Sequence, residues 1–120
     1  MQYLLLIYEP EANYRDLTPE EMAGMLEPWG VYGDWLKEKG WYVGGHALQP
    51  VDSATTVRER DGKTITTDGP FAETKEQLGG YYLIDCPNDQ NAIEAASRIP
   101  SVGRGSVEVR PVMDFSNVPA

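Results

Sequence analysis

The run Tyr3-Leu4-Leu5-Leu6-Ile7-Tyr8 constrains this chain more than any other stretch. Successive side chains of a strand point to opposite faces. Both faces are apolar here apart from the tyrosines, so residues 2–8 read as a central strand needing cover on both sides. The run is too short to cross a membrane, which takes about 20 apolar residues. It lacks a basic flank, and Glu9-Pro10-Glu11 follows at once, unlike a signal peptide. No membrane partner is expected.

One layer of cover comes from two helices. Thr18 is placed to cap the first, with Pro19 at its first position and Glu21 completing a capping box. Leu17 and Met22 are spaced for a hydrophobic staple, and Met22, Met25, Leu26, Trp29 and Leu36 mark one face. That stripe reads as core rather than as a cofactor box. Pro28 removes a donor inside the helix and should kink or split it. Gly40 ends it after Lys37-Glu38-Lys39. Asn88 or Asp89 caps the second helix, Ala92, Ile93, Ala96 and Ile99 face the core, and Pro100 stops it.

The remaining strands fall at residues 41–48, 55–60, 63–67, 81–86 and 106–113. Asp61-Gly62 signals a hairpin between 55–60 and 63–67. Residues 72–77 read as a short irregular or helical turn leading to Gly79-Gly80. In the last strand Val107 and Val109 share one face, and Glu108 and Arg110 the other. The order is β-α-β-(hairpin)-β-α-β: an α+β, ferredoxin-like βαββαβ unit with an extra β-hairpin. The chain of 120 residues fits one domain, residues 1–113, with a loose tail over 114–120. Both helices lie on one sheet face, so the other needs a second copy of the chain, and a homodimer is expected.

Charge narrows the partners. The net charge is −9 and the basic residues are scattered singly, whereas nucleic-acid binding draws on clustered Lys and Arg. No direct nucleic-acid partner is expected. Cys86 is the sole cysteine and sits in the apolar run Tyr81-Tyr82-Leu83-Ile84-Asp85-Cys86, so it reads as a buried strand thiol. A reducing cytoplasm is the natural compartment.

Few residues offer chemistry. His46, the sole histidine, would share a sheet face with Tyr42 and Leu48, beside the bare Gly44-Gly45. It reads either as a half-buried strand histidine or as a general acid or base with room for a small molecule beside it. No metal is expected: one His and one distant Cys are too few for zinc, and Asp68, Glu73 and Glu76 fit no calcium loop. Gly44-Gly45 and Gly79-Gly80 match no nucleotide cradle, and no serine sits in a nucleophile elbow. No cofactor is expected. The segment Thr67-Asp68-Gly69-Pro70-Phe71-Ala72-Glu73-Thr74-Lys75 is the densest in polar groups. It is either a turn held by Asp68 and anchored in the core by Phe71, or a ligand or catalytic loop. Arg58 and Arg110, on strands, are candidates to neutralise its acids or hold an anion.

Several stretches together resemble the YCII-related family, and specifically its DGPF branch. They are Thr55-Thr56-Val57-Arg58, Asp61-Gly62-Lys63, the run from Thr67-Asp68-Gly69-Pro70-Phe71 through Gly79-Gly80-Tyr81-Tyr82, and Gly105-Ser106-Val107-Glu108-Val109-Arg110-Pro111. The resemblance implies a ferredoxin-like subunit of a dimeric α+β barrel, in a cytoplasmic bacterial protein of unknown molecular function. Members of the branch occur beside, or fused to, sigma factors of the extracytoplasmic-function type. The wider superfamily includes small isomerases. The family's suspected histidine early in the first helix and aspartate after the second do not carry over. Residues 18–39 hold no histidine, and Ser97-Arg98-Ile99-Pro100-Ser101 holds no aspartate.

Two readings follow. In the first, the protein is a small-molecule enzyme of isomerase or lyase type. Asp68 or His46 moves a proton in a pocket at the dimer-barrel mouth, and Arg58, Gly69, Phe71, Glu73, Lys75 and Arg110 bind the ligand. In the second, it is a ligand-sensing or interaction module linked to a sigma factor and transcription control.

Overall fold

A computed structural model describes residues 1–116. In chain order the elements are β1 (Gln2–Glu9), α1 (Pro19–Lys39), β2 (Tyr42–Ala47), β3 (Thr55–Arg60), β4 (Lys63–Asp68), β5 (Gln77–Asp85), α2 (Asp89–Ser97) and β6 (Ser106–Pro111). Single 3-10 turns lie at Glu11–Tyr14 and Val51–Ser53. Four strands form one antiparallel sheet in the order β2-β5-β1-β6, while β3 and β4 pair only with each other. This is the ferredoxin-like α+β arrangement with the extra hairpin.

The central strand behaves as its pattern requires. Tyr3, Leu5, Ile7 and Glu9 are buried on the helix side. Leu4 and Leu6 point the other way, level with Leu83 and Tyr81 of β5 and Arg110 and Glu108 of β6. Those apolar side chains are half-buried, without a helix over them. On the helix side, Tyr32 and Leu36 of α1 and Ala92, Ala95, Ala96 and Ile99 close the core. The Tyr32 hydroxyl donates to the Ala95 carbonyl at 2.7 Å, tying the helices together. Cys86 is buried beside them, and burial pushes its thiol pKa up.

Five expectations need correcting. First, α1 is not split at Pro28, which is exposed; the neighbouring turns hold the helix together despite the lost donor. Second, β5 begins at Gln77 rather than residue 81; before it, residues 72–76 take the irregular form of the two expected. Gly79-Gly80 are strand residues: Gly80 is paired to Ile7 and Ala47, which outweighs glycine's weak strand preference, and Gly79 lies at the register shift between Ile7 and Tyr8 of β1. Third, Ile93 is 51% exposed, and Ala95 takes its expected place in the core. Small side chains let α2 pack close to the sheet and leave Ile93 at the edge. Fourth, β2 carries an irregularity between Tyr42 and Gly44. The extra residue reverses the alternation, so Tyr42 joins Tyr82 on the helix side and His46 joins Tyr81 on the other. His46 and Tyr42 therefore do not share a face. Fifth, Phe71 does not anchor its loop in the core but is 81% exposed.

The hairpin stands away from this body. Asp61 and Gly62 have φ of 53° and 75°, the paired left-handed turn that suits a two-residue hairpin loop. Every residue of β4 is exposed. The radius of gyration is 16.9 Å, against about 14 Å for a compact chain of this length.

Candidate functional site

The first half of α1 lifts off the sheet and roofs a cleft of about 770 Å³. Its start is fixed by a complete capping box: Thr18 Oγ1 accepts from the Glu21 amide at 3.1 Å, and Glu21 Oε1 from the Thr18 amide at 3.2 Å. Met22, Leu26 and Trp29, at i, i+4 and i+7, line the roof. Ile7, Gly45, Gly80 and Tyr82 line the opposite side. Trp29 and Tyr82 stack with centroids 6.5 Å apart and planes within 16°. Tyr42 meets Tyr82 edge-on at 6.4 Å. At Gly45 and Gly80 the floor carries no side chain, and neither position has room for one. A Cβ on Gly45 would lie 2.7 Å from the Tyr81 carbonyl oxygen, and on Gly80 2.9 Å from that of His46. The result is an aromatic-walled space of the size that takes small organic molecules.

One end is polar. Glu9 is 5% exposed and lines the cleft. A buried carboxylate is stable only when paired and hydrogen-bonded. Arg104 Nε donates to Glu9 Oε1 at 2.6 Å, Asn13 Nδ2 donates to the same oxygen at 3.0 Å, and the Tyr14 hydroxyl donates to Oε2. Burial, and then the bond to Glu9, push the Tyr14 phenol pKa up. Burial works to lower the pKa of Arg104, but its bonds to Glu9 and Tyr14 outweigh that and leave it raised. Glu11 braces the rim: its amide donates to Gln77 Oε1 at 2.9 Å, and its Oε2 accepts from the Val51 amide at 2.9 Å.

The residues singled out by sequence lie mostly elsewhere. His46 is among the residues along the cleft, but its ring packs against Tyr81 at 5.9 Å on the sheet face opposite the helices. Asp68 ends β4, exposed and opposite Thr55. The turn after it is held by backbone groups: the Gly69 amide donates to the Ala54 carbonyl at 2.7 Å, and Thr56 Oγ1 to the Gly69 carbonyl at 2.8 Å. Gly69 has φ +98°, which a side chain would strain. Glu73 and Lys75 are exposed in the loop that follows, and Arg58 is exposed on β3 opposite Ile65. Arg110 is occupied by Glu108, its Nε donating at 2.7 Å. None of Arg58, Asp68, Gly69, Phe71, Glu73, Lys75 or Arg110 lines the cleft of its own chain. Among the described residues no three His, Cys, Asp or Glu side chains gather as a metal requires. Among them, too, no helix is long and apolar enough to cross a membrane.

Sequence reasoning passed over Glu9 and Tyr14. The signal was present: Glu9 continues the alternation of Tyr3, Leu5 and Ile7, which places an acid in register with the core.

The family model of the YCII-related domain matches residues 1–116. A protein of Rhizobium meliloti (strain 1021), described as uncharacterized, is 37% identical over 114 residues, covering 93% of this chain and 92% of that protein.

Proposed function

The chain belongs to the YCII-related family, and from that premise we propose that the cleft under α1 binds a small organic molecule and moves a proton on it. The molecule has a flat, apolar body and one polar group. The observation that carries this reading is a buried carboxylate, Glu9, bonded to the Tyr14 phenol at the polar end of an aromatic-walled cleft. Stacked Trp29 and Tyr82 suit the apolar body. Tyr14, with its pKa raised, stays a phenol at neutral pH; its proton goes to Glu9, so its oxygen is left to accept from a hydroxyl on the ligand. Glu9 accepts a proton at one ligand atom and returns it at another, an isomerisation that needs no co-reactant. The alternative acid–base pair, Asp68 with His46, needs Asp68 from another copy and would act on the sheet face opposite α1, where the His46 ring lies beside Tyr81.

The test is a thermal-shift screen with small organic acids, phenols and lactones. A ligand raises the melting temperature by mass action. Tyr14→Phe should weaken binding of any hit by about fivefold, the loss of one neutral hydrogen bond. A hit bound equally well by the phenylalanine variant overturns the site, and a panel without hits overturns the ligand class. Repeating the screen with Asp68→Asn separates the two assignments.

The second reading, an interaction module linked to a sigma factor, draws on the projecting hairpin and on the net charge of −9. Failure to bind a sigma factor encoded nearby at tens of micromolar would count against it.

A further inference from the structure

Taking the cleft as the ligand site, on which this depends, we propose that its ligand is an uncharged phenol: a flat aromatic body whose hydroxyl seats at the Glu9 end. The polar end decides which hydrogen-bonding group fits. Arg104, Asn13 and Tyr14 all give protons to Glu9. Neither Asn13 nor Arg104 lines the cleft; Arg104 lines a groove across α1, with Met25, Pro28 and Val31. What the polar end shows to a ligand is therefore the Tyr14 oxygen, which accepts. A ligand seated there has to bring the proton itself.

Flat organic molecules divide on that point. A carboxylate at neutral pH has no proton to give, and an ester, lactone or ether has none at any pH. A phenol keeps its proton up to about pH 10 and donates it.

Charge points the same way. The lining carries Glu9, Glu11 and Asp52 but a single Lys or Arg side chain, Arg15, which is exposed. Arg104 offsets Glu9. Glu11 and Asp52 against Arg15 then leave −1 along the cleft, in a chain of net −9. An anion placed at the polar end would meet a carboxylate whose one cation is already engaged.

The walls select the body. Trp29 and Tyr82 stack with planes within 16°, and Tyr42 meets Tyr82 edge-on. Such rings hold a flat aromatic molecule by offset stacking and edge contacts. An aliphatic alcohol would satisfy Tyr14 and leave the walls unused.

Three flat probes of similar size test the class on the full chain: 2-naphthol, 2-methoxynaphthalene and 2-naphthoate. Each titration is followed by the methionine methyl resonances. Met22 lines the cleft and Met25 the groove across α1, so the two methyls tell which cavity a probe enters. The naphthol should shift Met22 and bind at least about fivefold tighter than its methyl ether, the worth of one hydrogen bond. The carboxylate should bind more weakly than the naphthol. Independently, 4-nitrophenol held near its own pKa should lose phenolate absorbance when protein is added, because the cleft takes the neutral form. An ether or carboxylate that moves Met22 with equal or higher affinity overturns the phenol and leaves the cleft as a ligand site. So does a phenolate band that holds or grows at saturation. A Met22 methyl that none of the probes moves overturns the ligand site itself, and the phenol with it.

Discussion

Glu9 is the residue on which the site turns. Its two oxygens take three donors, of which Arg104 is the only cation. Arg104→Ala leaves a carboxylate at 4% side-chain exposure without its counter-charge. Breaking a fully buried pair costs several kcal/mol, but Arg104 is itself 37% exposed and partly screened. The expected loss is about 2 kcal/mol by urea denaturation. In a Glu9→Gln background the same substitution should cost less than about 1 kcal/mol, because no buried charge is orphaned.

Tyr3 gives a second prediction at this scale. Its hydroxyl donates to Asp89 at 2.5 Å, and that bond, followed by burial, pushes its pKa up to about 12. A phenol in the unfolded chain titrates near about 10. The folded pKa is the higher one, so the stabilisation is complete below about pH 10 and is lost as pH rises toward the folded value. Tyr3→Phe should flatten the decline of stability over that window, as read by denaturation at stepped pH. An unchanged decline would mean that other groups govern it.

Among the elements, β2 and β5 decide the floor of the cleft. Each places a glycine where the neighbouring strand's backbone comes too close for a Cβ, at 2.7 Å for Gly45 and 2.9 Å for Gly80. Gly80→Ala must push the β2 backbone outward, since the atom it meets is the His46 carbonyl oxygen. The expected cost is about 1–3 kcal/mol, with weaker binding of any cleft ligand. Unchanged stability in thermal melts would show that β2, an edge strand, moves freely. The irregularity after Tyr42 belongs to this scale too. Gly44-Gly45 announced a bulge in the sequence, but not which residue would be doubled, and that choice decides the face on which His46 lies.

For the whole molecule, the order of elements, both helix caps, the Asp61-Gly62 turn and the ferredoxin-like sheet were legible in the chain. Each rests on local chemistry: a side-chain oxygen three residues from an amide, a proline without a donor, a strand with two-residue periodicity. The Thr67–Lys75 segment was legible as a family signature but not as a place. Its polar density suggested a pocket, and the structure sets it on an arm outside the cleft of its own chain. Local sequence records which groups are present, and only the fold sets which of them meet.

The central run Tyr3–Tyr8 shows where that boundary falls. By itself the sequence determined that this strand is apolar on both faces and needs two layers of cover, because side-chain alternation is a property of the backbone. Tertiary structure decided how the helix-side layer is built. The C-terminal half of α1 and the small residues of α2 pack tightly over the strand, while the first half of α1 stands off and leaves the cleft with Glu9 at its end. That outcome depends on the volumes of side chains far apart in the chain, and no local pattern encodes their sum.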